Sequence, residues 1–341
     1  MFQFIRREKI YILMLLFILA VNILNTGHGS GDRHAEKTSP STQSLKEMGI
    51  TEQKVKDFLE SGKMSARFFK YAMVLGIFIF AVSIMLNFGF IFFGKRINFK
   101  SPSYKKPVPW GILDLGRVAV IIVFAGYLIG IIEGIVFKKF DLGITASLQM
   151  ILNTFLVDMT AVIVVLCFAA VKYRENLRAL GLKFTYFFNN ILSGITAYIF
   201  ILPVLFIVLL MSIWVLNIVG YTPPPQPVFD IFIEETRSRV LLFLTLFISI
   251  FGPVVEEIFF RGFMYAAVKK HLGIIGAAFL SAAIFSILHT NMVGFLPIMT
   301  LGVLLAYLYE TTGSLLASIA VHVIHNSIVV GFVFFIKEMI G

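Results

Sequence analysis

The chain reads as an all-α protein, a polytopic transmembrane helical bundle with about eight or nine spans. Three observations predict this. Of its 341 residues, 58% are hydrophobic and only 14% charged, where an ordinary soluble domain carries roughly 25% charged residues. The apolar residues gather into runs near 10–25, 71–93, 113–137, 145–171, 189–218, 240–265, 273–290, 293–309 and 314–336. Most approach the roughly 20 residues that a helix needs to cross the hydrocarbon. The cations stand between these runs, so the excess of 29 Lys+Arg over 19 Asp+Glu reads as a topology signal rather than a nucleic-acid surface.

The first run follows Arg6, Arg7 and Lys9. No small-x-small cleavage site follows it at Asn25–His28, so an uncleaved anchor is expected rather than a removed signal. Residues 26–67 form the one sizeable polar segment. Its first half is rich in Ser, Thr, Gly and charge and is expected to be disordered. Within Ser44–Leu59, Leu45, Met48, Val55, Phe58 and Leu59 suggest a short helix, with Ser44 and Glu47 as a capping box; a solvated linker is the alternative. Lys95, Arg96, Lys100, Lys105 and Lys106 mark one loop as cytoplasmic, and Lys172, Arg174, Arg178 and Lys183 mark the loop two spans later. The same parity places the N-terminus inside, and the 26–67 segment and the Pro-rich 222–239 loop outside. The last four runs are joined by minimal loops and should pack as one bundle. Three parts follow: an anchor with its polar extracytoplasmic segment over 1–70, accessory helices over 71–183, and a chemistry-bearing bundle over 184–341. An integral protein of a prokaryotic cytoplasmic membrane is expected.

Ionisable groups at membrane depth are costly, so each is a functional candidate. The first set is Glu256, Glu257 and Arg261. Glu257 and Arg261 stand four apart, so they share a helix face and can pair. Glu256 points about 100° away and needs a partner from another helix or a water-filled cavity. Pro253, lacking an N–H, allows a bend one turn earlier. The second set is Phe285 and His289, the histidine ending an apolar run. The third is His322, His325 and Asn326, with His322 and Asn326 on one face of the last helix. By helical rise His322 lies roughly 14 Å in from Gly313, and Glu256 roughly 20 Å from Lys269 and Lys270. The two depths allow them to meet. Glu133 and Asp158 lie inside earlier spans without a companion within one turn, and Asp114 and Arg117 sit at a boundary as anchors. A lone cysteine, Cys167, gives neither an intrachain disulfide nor a cysteine metal site.

Together the three sets resemble the CPBP family, also called type II CAAX prenyl endopeptidases or Abi proteins. Glu256, Glu257 and Arg261 match its Glu-Glu-x-x-x-Arg motif, flanked by Phe260 and Gly262. Phe285 and His289 match Phe-x-x-x-His; His322 and Asn326 match His-x-x-x-Asn/Asp, preceded by Thr312, Gly313 and Ser314. Any one motif is weak; all three in order on hydrophobic segments are specific. The resemblance covers about 240–330 and leaves 1–180 unexplained beyond its helices. It implies an intramembrane endopeptidase in which Glu256 is the general base and His289 its partner. His322 and Asn326 would donate to the oxyanion, and Glu257 and Arg261 would support the site.

The resemblance leaves the metal open. Glu256, His289 and His322 could form a three-ligand zinc site with an open position. No His-Glu-x-x-His is present, and a metal-free glutamate mechanism is favoured. The expected partners are a membrane-associated protein or peptide substrate and the bilayer, with no nucleic acid. The competing readings are a catalytically silent scaffold or regulator and a proton-coupled transporter using Glu133, Asp158 and Glu256. The transporter reading predicts internal repeats with paired broken helices, and none is visible.

Overall fold

The computed structural model describes residues 2–27, 51–93, 107–140, 144–221, 223 and 227–340. The capping box at Ser44 and Glu47 and the basic cluster from Lys95 to Lys106 lie outside the described residues. In chain order the helices are α1 Phe2–Gly27, α2 Glu52–Glu60, α3 Met64–Phe93, α4 Ile112–Phe140, α5 Ala146–Cys167, α6 Phe187–Ile218, α7 Pro227–Glu234, α8 Ser238–Leu246, α9 Gly252–Glu257, α10 Ala266–Leu288, α11 Met292–Thr312 and α12 Leu315–Ile340. No strand occurs among the described residues. The protein is an all-α membrane bundle.

Among the described residues seven helical stretches are long and apolar enough to cross a membrane. One of them, Ser238–Leu288, is 51 residues long. At about 1.5 Å per residue it would reach roughly 75 Å, more than twice the hydrocarbon thickness. It breaks at Gly273, whose φ of 67° and ψ of −174° fall outside any helix. Glycine takes that conformation without a Cβ penalty. The break makes two segments of this stretch, as the separate runs 240–265 and 273–290 anticipate. The residues between those runs, Ala266–Leu272, are helical all the same. Their Ala, Lys and Leu support a helix, so the turn comes at the glycine and not where hydrophobicity stops.

Two compact units divide the helices: α1, α4 and α5 in one; α2, α3 and α6 to α12 in the other. In the first unit the boundary residues Asp114 and Arg117 pair at 2.9 Å. Arg117 also donates to Glu8, and Lys172 reaches Asp114 at 2.5 Å. Deeper in α4, the Glu133 carboxylate accepts from Asn153 on α5 at 2.9 Å.

In the second unit Tyr198 and Leu205 of α6 join Leu301, Leu305 and Leu308 of α11 and Val321 of α12 in an apolar core. Gly194 lets α6 and α12 approach closely, since a Cβ there would stand 2.6 Å from the Ala317 carbonyl oxygen. At one end of this unit α2 packs on the last turns of α12 through Phe58 and Phe335, with ring centroids 5.4 Å apart. Its N-cap is Thr51, whose side chain accepts from Lys54 N–H at 3.3 Å. Lys337 of α12 donates to the Phe232 carbonyl at the end of α7.

Candidate active site

The two glutamates stand at the end of α9, a six-residue helix set between the π-helical segments Phe247–Phe251 and Ile258–Tyr265. The first segment comes just before Pro253. The Gly252 N–H closes on the Phe247 carbonyl five residues back, which accommodates a proline that has no N–H of its own. The expected irregularity before the carboxylates is therefore a wider turn, matched by a second one after them. Such turns occur often at functional sites.

Glu257 points inward. Its side chain and that of Arg261 are both fully buried, and Arg261 Nη1 donates to Glu257 Oε1 at 2.6 Å. The other arm of the guanidinium, Nη2, donates to the Gly302 carbonyl of α11 at 3.1 Å. Its carbon lies 4.7 Å from the centroid of the Phe285 ring. Gly302 is needed for this approach: a Cβ there would meet Ala282 Cβ at 2.9 Å and Arg261 Nη2 at 3.4 Å. A buried pair of this kind is stable only with such further partners, because desolvating two charges costs several kcal/mol per ion.

The same Glu257 oxygen faces a third group. His322 Nδ1 on α12, buried to 1% exposure, lies 3.0 Å from Glu257 Oε1. The ring is thereby held with its other nitrogen, Nε2, 3.5 Å from Glu256 Oε2. Glu256 is only partly buried, its side chain 28% exposed. His322 thus faces Glu256 from another helix.

His289 caps the C-terminal end of α10, and its Nδ1 lies 2.8 Å from the Phe285 carbonyl oxygen. A carbonyl only accepts, so Nδ1 carries the proton and Nε2 of the neutral ring is an acceptor. The Phe285 ring packs edge-on against both histidines, with centroids 4.6 Å from His289 and 5.5 Å from His322. Asn326, one turn beyond His322, donates from Nδ2 to the Ile248 carbonyl at 2.9 Å.

Glu256, Glu257, Arg261 and His322 are therefore in direct contact. His289 joins them through Phe285, and Asn326 is tied to the segment that precedes α9. Two participants escaped the sequence reading. The Gly302 carbonyl carries no signal in residue type, whereas Phe285 was marked by its motif but not for its edge-on packing on both histidines. Tyr198 of α6 lies with its hydroxyl 3.0 Å from His325 Nδ1, and only the register of two helices distant in sequence could have found it.

A zinc site would need Glu256, His289 and His322 to converge. Among the described residues no group of three His, Cys, Asp or Glu side chains is placed to hold a metal ion. The Glu256–His322 contact supplies two donors, and His289 turns Nδ1 to a backbone carbonyl. In this arrangement Glu256 and His322 are paired and His289 stands apart from them, with Nε2 as its remaining donor atom.

Residues 238–328, which span α8 to most of α12, match the family model described as Type II CAAX prenyl endopeptidase Rce1-like. This stretch is similar to the type II CAAX endopeptidases. The CAAX-type segment contains all six of the residues Glu256, Glu257, Arg261, His289, His322 and Asn326. The chain is also similar to a Bacillus subtilis (strain 168) protein named "Putative membrane peptidase YdiL", 33% identical over 82 residues. That match takes in 24% of this chain and 34% of the relative, so the chain spans about a third of the relative's length. No solved structure matches.

Proposed function

We propose that the protein is an intramembrane endopeptidase that hydrolyses a peptide bond of a membrane-associated protein or peptide. The observation that carries this reading is the Glu256–His322–Glu257 contact, buried among apolar helices and lying inside the CAAX-type segment. Hydrolysis in an apolar setting needs a base to activate water and fixed donors for the oxyanion. Glu256, the partly exposed carboxylate, is the base. His289 presents an unprotonated Nε2 and takes or orients the second proton site of the water.

His322 and Asn326 stabilise the tetrahedral oxyanion. Asn326 has a second amide N–H beyond the one given to Ile248. His322 presents Nε2 to the reacting centre while its Nδ1 is held at Glu257. Glu257 and Arg261 are positioning residues, holding the His322 ring and tying α9 to α11. The reaction runs on protein groups alone. The relative named a membrane peptidase supports the reaction class, and the substrate follows from the setting: a chain that reaches the site from the bilayer.

The test is comparison of membranes from a host expressing the wild-type chain or Glu256→Gln, read by terminal-peptide proteomics. The reading predicts at least one new terminus that depends on Glu256. Identical terminus profiles, with both proteins inserted at equal level, would contradict it.

A further inference from the structure

The lipid-facing side of α10 and α11 carries two adjoining cavities, of about 280 and 260 Å³. The first is walled by Ile274, Ile275 and Phe279 of α10 and by Val303 and Tyr307 of α11. The second continues from Phe279 and Val303 to Leu296 of α11 and Met211 of α6. The shared residues make one apolar groove. From Thr311 to Leu296 it follows α11 for fifteen residues, roughly 22 Å. It lies apart from the Glu256 cluster, since none of the six site residues lines either cavity.

The groove ends at a basic rim. Glu310 lines the first cavity, with Oε1 2.5 Å from Lys269 Nζ and Oε2 accepting from the Tyr265 hydroxyl at 2.9 Å. This carboxylate is paired with Lys269. Lys270 and His271 follow on the exposed face, directly before Gly273 and the groove wall at Ile274. Lys269, Lys270 and His271 thus stand in succession at this rim, with Lys269 on Glu310.

We propose that this groove binds one anionic glycerophospholipid, its acyl chain along α11 and its phosphate at Lys269, Lys270 and His271. The apolar length matches a chain lying in one leaflet, and the basic rim matches the charge of the headgroup. An ammonium has three donors, so Lys269 keeps capacity for a phosphate oxygen while bound to Glu310. This inference does not depend on the hydrolase reading.

Native mass spectrometry of the full-length protein, titrated with phosphatidylglycerol or phosphatidylcholine of identical chains, tests it. Phosphatidylglycerol should bind more tightly, by roughly fivefold for each lysine engaged. Lys270→Glu with His271→Ala should bring the two lipids close to parity. Val303→Trp, which fills the groove, should weaken both, and Phe206→Trp on the lipid face of α6 should weaken neither. Equal affinity for the two headgroups, or a preference untouched by both the rim and the groove variants, would overturn the proposal. So would preferential uptake of an isoprenoid-bearing peptide without headgroup discrimination. The rim variant is at an exposed position, so it remains informative if Val303→Trp fails to fold.

Discussion

His322 Nδ1 on α12 lies 3.0 Å from Glu257 Oε1 on α9, the same oxygen that accepts from Arg261 at 2.6 Å. One carboxylate oxygen therefore ties the orientation of the histidine to the only guanidinium in the cluster.

That shared oxygen predicts an asymmetry in stability. Glu257→Ala strands a fully buried guanidinium and should cost roughly 3–5 kcal/mol. Replacing both partners, as Glu257→Leu with Arg261→Met, should recover most of that loss while activity stays absent. Thermal unfolding in detergent, set beside turnover, checks both halves. Parallel recovery of stability and turnover would show that the pair acts only as a structural tie.

Glu256 is more exposed than Glu257, Arg261 and His322, with its side chain 28% exposed. Glu256→Gln should therefore insert and melt like the wild type while turnover falls about 100- to 10,000-fold. The measurement is initial rate in reconstituted vesicles, with the melting temperature as control.

Asn326 serves two partners in this account, the Ile248 carbonyl and the oxyanion. Asn326→Ala should lower kcat by about 100- to 1,000-fold and leave KM nearly unchanged, because the oxyanion exists only on the reaction path. A rise in KM with kcat preserved would instead assign Asn326 to ground-state binding.

Gly302 admits the Arg261 guanidinium to its own carbonyl. Gly302→Ala places a methyl group 2.9 Å from Ala282 Cβ, and overpacking of that kind costs about 1–3 kcal/mol. A lowered melting temperature with reduced turnover is expected.

A reaction on protein groups alone should be indifferent to chelation. Incubation with EDTA or 1,10-phenanthroline, followed by removal of the chelator, should leave turnover unchanged. Loss of turnover restored by zinc would reverse that assignment.

Much of this was legible from residue spacing. Glu257 and Arg261 four apart, and His322 and Asn326 four apart, announce shared helix faces. The apolar runs mark the spans because lipid demands length and hydrophobicity together. The irregular backbone around α9 was legible only in part: Pro253 signals a disturbance, but not that π-helical turns flank the glutamates on both sides. That Glu256 and His322 could meet was legible from their depths, but the contact itself was not. It depends on the packing of α9 against α12, 66 positions away, and no local pattern encodes that. The same holds for Tyr198 with His325 and for Glu310 with Lys269, which meet only after α6, α10 and α11 are in place. His289 is a third kind of case: its position was plain, whereas the acceptor state of Nε2 follows only from the Phe285 carbonyl beside Nδ1.

The central claim is that Glu256 activates water for peptide hydrolysis within the CAAX-type bundle. It is tested most directly by incubating wild-type and Glu256→Gln protein, reconstituted in vesicles, with a membrane peptide identified by the terminus comparison, in water enriched in oxygen-18. The account predicts one heavy oxygen in the new carboxyl terminus with the wild-type protein and no cleavage with Glu256→Gln. Cleavage at an equal rate by both proteins would contradict it.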